Sequence, residues 1–154
     1  MEQELEQNTA VQPQAPKPVA RVLIADDNLD HVAMTAMLLQ TDGHEVCGVA
    51  SGEAALEKFE AFAPDVVIVD IGMPRMSGYD TARALRAHRT GSQVLLIALT
   101  AYDSHSERLL SKLAGFDYHL AKPADPETLT SIVRESVASK RPTRVHVIPD
   151  MPRR

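Results

Sequence analysis

The sequence predicts a doubly wound α/β fold, in which helices cover both faces of a five-stranded parallel sheet. Two observations carry this prediction. Five short apolar runs alternate with five longer helix-like segments along the chain, and cap or turn residues separate them. Such alternation is typical of a parallel sheet whose two faces are both buried, and the right-handed crossover rule leaves few topologies for it.

Five apolar runs are predicted to be strands. The two clearest, Val66–Val69 and Val94–Leu99, contain no polar residue, as expected of strands that are buried on both faces. The run at 45–49 is more polar, which favours an edge position. In chain order, the predicted strands are 22–25, 45–49, 66–69, 94–99 and 118–121.

Capping signals mark the predicted helices. Asn28 is expected to cap the first helix, and Asp125 followed by Pro126 to begin the fifth. Ser104 and Glu107 are expected to form a capping box at the fourth. In chain order, the helices are expected at about 29–40, 52–63, 77–88, 104–115 and 126–138.

The chain has 154 residues, the length of one domain with tails. Residues 1–18 are rich in Glu, Gln and Pro and are predicted to be disordered. The folded domain is expected at 19–138, and residues 139–154 are expected to form a basic, flexible tail. There is no membrane-length apolar run and no signal peptide, so we expect a cytoplasmic protein.

Composition excludes two kinds of chemistry. The net charge of −5, with six aromatic residues and no Trp, disfavours contact with a nucleic-acid backbone or stacked bases. Cys47 is the only cysteine, so an intrachain disulfide is impossible. We expect its thiol to be small and buried.

Polar residues follow four of the predicted strands. Asp26 and Asp27 follow the first strand, and Asp70 follows the third. Thr100 ends the fourth, and Lys122 follows the fifth. The carboxyl ends of parallel strands meet at one edge, where open α/β sheets bind ligands. We therefore expect these five residues to converge in space.

Three carboxylates in one crevice repel one another, and a divalent cation relieves the conflict. Oxygen ligands suit Mg²⁺, with Mn²⁺ as a substitute, and the absence of His and Cys from the motif disfavours zinc. Gly72 lies two residues beyond Asp70, where its carbonyl is expected to turn back toward the metal. The predicted metal-binding residues are Asp26, Asp27, Asp70 and Gly72.

A metal ion, a lysine and a hydroxyl around an aspartate are the groups that phosphoryl transfer to that aspartate needs. Lys122 is expected to pair with one oxygen of a phosphoryl group on Asp70, and the Thr100 hydroxyl with another. Each residue alone is more typical of a cap or a strand end. Their joint placement on four strand ends is what favours Asp70, Thr100 and Lys122 as a catalytic set.

Residues 19–138 resemble the receiver domains of two-component response regulators. The matching stretches are 22–28 (VLIADDN), 69–74 (VDIGMP) with Gly78, 99–101 (LTA) and 121–123 (AKP). The resemblance implies a flavodoxin-like fold with strand order 2-1-3-4-5 and phosphorylation on Asp70. It also implies direct Mg²⁺ binding by Asp27, Asp70 and the Gly72 carbonyl, with Asp26 acting partly through water.

The resemblance further implies a signalling phosphoacceptor rather than a classical enzyme. Such domains take phosphate from a sensor or hybrid histidine kinase or a histidine phosphotransfer protein, catalyse the transfer and hydrolyse their own aspartyl phosphate. Thr100 would be the switch hydroxyl. Because few residues follow 138, we expect no DNA-binding domain and a downstream protein target reached by docking. We also expect a monomer or weak dimer, although the sequence does not fix the oligomeric state.

Three residues before Lys122, the family usually has Tyr or Phe as a rotating switch residue, whereas this chain has His119. An imidazole titrates near neutral pH, so we hypothesise that switching depends on pH. The simpler alternative is a plain substitute for the aromatic ring. Gly72 has no side chain beside the phosphoryl site, so water is expected to reach the site easily. Tyr102 is expected to cover the site partly. The two residues therefore have opposite expected effects on the rate of dephosphorylation.

Three other functions compete with this interpretation. A phosphorylation-independent interaction module of the same fold would not need the complete acidic set. Phosphatases with an aspartyl nucleophile commonly place a second Asp where this chain has Gly72. A flavin carrier would bind a phosphate at the first loop, and the Asp26–Asp27 pair would repel it.

Overall fold

The computed structural model describes residues 19–101 and 103–138. The predicted disordered segment 1–18, the predicted tail 139–154 and Tyr102 lie outside these ranges. Within them, five strands alternate with five α-helices. The strands are β1 (Arg21–Ala25), β2 (Glu45–Val49), β3 (Val66–Asp70), β4 (Leu95–Thr100) and β5 (Tyr118–Ala121).

The helices also follow the predicted order. They are α1 (Leu29–Thr41), α2 (Gly52–Phe62), α3 (Gly78–Ala87), α4 (His105–Ala114) and α5 (Pro126–Ala138), with a short 3-10 turn at Gly91–Gln93. The third helix is shorter than expected because Ser77 and His88 cap it in extended conformation. Among the described helices, none is long and apolar enough to cross a membrane.

The capping box predicted at the fourth helix is only half formed. Ser104 Oγ accepts the Glu107 N–H at 3.1 Å, as expected. The Glu107 carboxylate instead accepts the hydroxyl of Tyr79. A reciprocal capping box occurs at α3, between Ser77 and Asp80.

The five strands form one parallel sheet in the order β2-β1-β3-β4-β5, which confirms the predicted topology. The chain leaves β1 toward β2 on one side and then crosses to β3 on the other. This change of direction opens a crevice beside the carboxyl ends of β1 and β3. The fold therefore places the crevice where Asp26, Asp27 and Asp70 occur in the sequence.

Side chains of the strands alternate between two buried clusters, one on each face of the sheet. On the face covered by α2, α3 and α4, the strands contribute Leu23, Val67 and Leu96. On the face covered by α1 and α5, they contribute Ile24, Ile68 and Ile97, among others. Each such side chain stabilises the fold by roughly 1.5–3 kcal/mol on full burial. Burial on both faces explains why the central strands are continuously apolar.

The prediction that Cys47 is buried is wrong. Its free thiol is partly exposed, at the edge strand β2, and packs against the cluster beneath α2 and α3. An edge strand has a neighbour on one side only, so its side chains are covered less completely.

Arg86 of α3 joins three chain segments at the amino-terminal edge of the sheet. The Gly115 carbonyl accepts from both Nε and Nη2, at 2.9 and 2.7 Å. Nη2 also donates to Asp117 Oδ2 at 2.9 Å, and the same oxygen accepts the Leu96 N–H. Nη1 donates to the carbonyls of Gly91 and Val94. The guanidinium thus fixes the starts of β4 and β5, opposite the crevice.

Candidate functional site

The turn after β1 holds Asp26 in the crevice. The Asp26 N–H donates to Val49 O at 3.1 Å, which ties the turn to β2. Asp26 Oδ1 accepts the N–H of Asn28 at 2.9 Å. Asn28 in turn caps α1 by accepting the Asp30 N–H, as predicted. Local hydrogen bonds therefore determine where the first carboxylate lies.

Three carboxylates converge as the sequence predicted. Oxygens of Asp26, Asp27 and Asp70 all lie within 4.8 Å of one another, with Asp26 and Asp70 buried and Asp27 exposed. Burial, and next the negative charge of Asp26, raise the pKa of Asp70, while Lys122 and the Gly72 N–H oppose this rise. Three carboxylates this close repel one another, and a small, hard cation such as Mg²⁺ would relieve the repulsion by binding their oxygens.

Lys122 supplies positive charge to this cluster. Its Nζ lies 3.2 Å from Asp26 Oδ2 and 3.2 Å from Asp70 Oδ1. The Lys122 side chain is largely buried, with 17% of it exposed, so the attraction is only partly screened by water. The Lys122 N–H donates to Thr100 O at 2.8 Å, which fixes the end of β5 against β4.

Thr100 and Gly72 occupy the same edge of the sheet. Thr100 ends β4, the strand between β3 and β5, and is buried. The Gly72 N–H donates to Asp70 Oδ1 at 3.3 Å. A Cβ at Gly72 would meet no atom within 4 Å.

His31 is a neighbour of the site that the sequence interpretation missed. Its Nδ1 lies 3.3 Å from Lys122 Nζ and 3.6 Å from Asp26 Oδ2, and the side chain is half exposed. His31 is in the first turn of α1, three residues after the cap Asn28, so it returns toward the strand end. That position in the first helical turn was the available signal.

His119 points away from solvent, toward α4. Its Nδ1 is 2.8 Å from Ser111 Oγ, and its Nε2 is 3.4 Å from Asp103 Oδ1. The other Asp103 oxygen, Oδ2, accepts from Arg108 at 2.7 Å. The sequence singled out His119, but neither Asp103 nor Ser111.

The polar contacts continue beyond Ser111 to α3. The hydroxyl of Tyr79 hydrogen-bonds Ser111 and donates to Glu107 Oε1 at 2.7 Å. Burial, and next the hydrogen bond to Glu107, raise the pKa of Tyr79 to about 12, so the phenol keeps its proton. A continuous polar chain therefore runs from the loop after β4, through His119, to α3.

Proteins of known family share the region that carries this site. The sequence model of the family described as "Response regulator receiver domain" matches residues 22–134. Protein PilH of Pseudomonas aeruginosa is 30% identical over 120 residues, and the match covers 78% of this chain and 99% of PilH. The virulence sensor protein BvgS of Bordetella pertussis is 35% identical over 135 residues, or 84% of this chain, which spans only 11% of BvgS.

Solved structures agree with the sequence relatives. The chemotaxis protein CheY4 of Vibrio cholerae superposes with a TM-score of 0.73 at 32% identity, over 77% of this chain and 98% of that one. A putative response regulator from Chloroflexus aurantiacus gives the same score, identity and coverage. The similarity therefore includes the whole sheet and its helices.

Proposed function

The chain belongs to the response-regulator receiver family, and we propose that it is a phosphoacceptor switch of a two-component phosphorelay, phosphorylated on Asp70. One observation carries this proposal. Lys122 Nζ lies 3.2 Å from Asp70 Oδ1 in a cluster of three carboxylates, which is the charge arrangement that phosphoryl transfer to an aspartate requires.

Asp70 is the proposed nucleophile. A carboxylate oxygen attacks phosphorus in a phosphohistidine, the P–N bond breaks, and the departing imidazole keeps its electron pair and takes up a proton. The lack of any atom within 4 Å of a Cβ at Gly72 supports an open path for the donor. Hydrolysis of the resulting acyl phosphate by water restores the carboxylate.

Mg²⁺ is the proposed cofactor, with Mn²⁺ as a substitute. Asp26, Asp27, Asp70 and the Gly72 carbonyl would hold it, with Asp26 acting partly through water. The ion would supply positive charge against the oxygens of the transferred group. Without such charge, the ionised form of Asp70 is disfavoured by burial and by Asp26.

Lys122 and Thr100 are the proposed ligands of the phosphoryl oxygens. Lys122 already reaches Asp70, so its ammonium can pair with a phosphoryl oxygen attached there. Thr100 would donate its hydroxyl to a second oxygen and draw the end of β4 inward. His119, on the neighbouring strand β5, would follow this movement.

We propose that the chain passes on its signal by docking to a downstream protein. Movement of Thr100 and His119 changes the surface formed by α4, β5 and α5, a two-state change biased by a local charge event. A histidine kinase or phosphotransfer protein would supply the phosphoryl group, and a downstream protein would bind the switched surface. The chain would act in the cytoplasm, as a monomer or a weak dimer.

The test is the intact mass of the protein after incubation with Mg²⁺ and acetyl phosphate, beside an Asp70→Asn variant. We expect one phosphoryl group on the parent and none on the variant. Asp30→Asn is the matched control, because this exposed acid lies four residues from Asp26 and should leave the addition intact. Failure with acetyl phosphate and with a panel of phosphorylated histidine phosphotransfer proteins would favour the alternative, a phosphorylation-independent interaction module.

A further inference from the structure

His119 has two polar neighbours that suit both charge states of its ring. Ser111 Oγ is 2.8 Å from Nδ1, and it accepts from this nitrogen because its own proton goes to the Tyr79 oxygen, whose proton goes to Glu107. Asp103 Oδ1 is 3.4 Å from Nε2. Protonation of the ring therefore breaks neither contact. It converts the contact with Asp103 into an ion pair.

Among the described residues, charged and titratable groups reach the ring from the loop after β4, from α4 and, through Ser111, from α3. The loop after β4 contributes Asp103, and α4 contributes Arg108, which donates to the other Asp103 oxygen. From α3, Tyr79 reaches the ring through Ser111 and keeps its proton. The opposite face of β5, where α5 packs, carries the neighbouring side chains of Tyr118 and Leu120. Asp103 is an acid in direct contact with the buried ring, at 3.4 Å from Nε2.

The position of Asp103 connects this ion pair to the phosphorylation site. Asp103 lies three residues after Thr100, in the loop that joins β4 to α4. His119 lies on β5, in register with Ala98 of β4. An attraction between them holds the loop, the ring and α4 in one arrangement, with His119 buried.

We infer that Asp103 and His119 form a latch that holds the ring inward and tightens when the ring is protonated. The inference rests on the proposed function, because it assigns the regulation of the same switch. The ion pair must outweigh the cost of burying the charged ring, and the inward arrangement is then more populated at pH 6 than at pH 8. By linkage, protonation of His119 and phosphorylation of Asp70 favour each other. Asp103 is a positioning residue, since it acts through His119.

The test follows the His119 ring by NMR at pH 6 and pH 8, using histidine-labelled full-length protein. Contacts between the ring and the Ser111 side chain measure the fraction of molecules in which the His119 ring points inward, toward α4. In the parent, the ratio of inward to outward forms is expected to be about twofold to fivefold higher at pH 6 than at pH 8. This range corresponds to the free energy that a partly exposed ion pair contributes. Asp103→Asn should abolish this rise.

Three further variants separate the latch from other effects. Glu57→Gln removes the same charge from an exposed position on α2 and should keep the pH response. Arg108→Gln removes the other partner of Asp103 and should also keep it. His119→Phe replaces the titrating ring, so protection of α4 amides from hydrogen exchange should become equal at the two pH values. A pH response that persists in Asp103→Asn or in His119→Phe overturns the latch.

Intact mass of the same samples after incubation with acetyl phosphate distinguishes the two proposals. Phosphorylation of the parent with an inward ratio that is equal at both pH values refutes the latch and leaves the proposed function standing. A pH response that depends on Asp103, without phosphorylation from any donor, supports the latch and refutes the proposed function.

Discussion

Lys122 Nζ lies 3.2 Å from Asp70 Oδ1, although a whole strand, β4, separates β3, which Asp70 ends, from β5, which Lys122 follows. The contact is possible because both side chains extend past the ends of their strands into the crevice. Lys122 lowers the cost of ionising Asp70, which burial and Asp26 increase. The pair is therefore central to whether Asp70 is available as a nucleophile.

Replacing Lys122 with Gln removes this positive charge. We expect phosphorylation by acetyl phosphate to slow by at least about tenfold, because a preorganised charge at developing negative charge typically contributes that much or more. The measurement is the phosphorylated fraction against time by intact mass. Lys58→Gln, at an exposed position on α2, is the matched control. A rate within about twofold of the parent would contradict the proposed role of Lys122.

Asp27→Asn tests the proposed metal site without disturbing the core, because Asp27 is exposed. Removing one of three carboxylates should weaken Mg²⁺ binding by about tenfold or more, since affinity follows the number of charged oxygen ligands. Titration calorimetry measures the dissociation constant. Asp30→Asn removes an equal charge from the first turn of α1 and should change Mg²⁺ affinity much less. Equal weakening in both variants would mean that long-range charge alone attracts the ion.

The raised pKa of Asp70 predicts how stability depends on pH. The folded state binds this proton more tightly than the unfolded chain, so the carboxyl favours folding at low pH and loses that contribution as pH rises through its folded-state pKa. Without Mg²⁺ at pH 7, Asp70→Asn should raise the free energy of unfolding by about 0.5–2 kcal/mol. The gain should shrink as pH approaches the ordinary aspartate value.

Urea unfolding at two pH values measures this difference. Glu57→Gln, which removes a charge from exposed α2, should stay within about 0.5 kcal/mol of the parent at both. Mg²⁺ should stabilise the parent more than Asp70→Asn. A variant that is less stable than the parent at neutral pH would show that Asp70 is not electrostatically strained in the folded protein.

Arg86→Met should lower the free energy of unfolding by about 2–4 kcal/mol. The change leaves the Asp117 carboxylate and three carbonyls without the guanidinium that bridges them. Arg86→Lys should recover little, because an ammonium cannot reproduce the planar fork. Arg83→Met, on the same helix but exposed, is the control and should change stability by less than about 0.5 kcal/mol. Similar losses of unfolding free energy in Arg86→Met and Arg83→Met would contradict a special role for the Arg86 guanidinium.

Local patterns predicted the elements of the fold well. The runs at Val66–Val69 and Val94–Leu99 are continuously apolar, because both faces of the sheet are buried there, and the structure places a strand within a residue of each. The expected box at Ser104 and Glu107 formed only in part, because Tyr79 from another helix competes for the carboxylate. Local signals predict such bonds, but distant residues decide them.

The sequence by itself determined the order of the elements and the edge where the chemistry lies. Apolar periodicity identifies parallel strands, and the ends of parallel strands share one edge, so Asp26, Asp70 and Lys122 were predictable as neighbours. Tertiary structure decided that Asp103 faces His119 and that His31 reaches Lys122, for which the sequence offered only the place of His31 in the first turn of α1. Those contacts depend on how a helix is rotated and where a loop returns. Both are set by packing between distant segments, which leaves no periodic pattern in the chain.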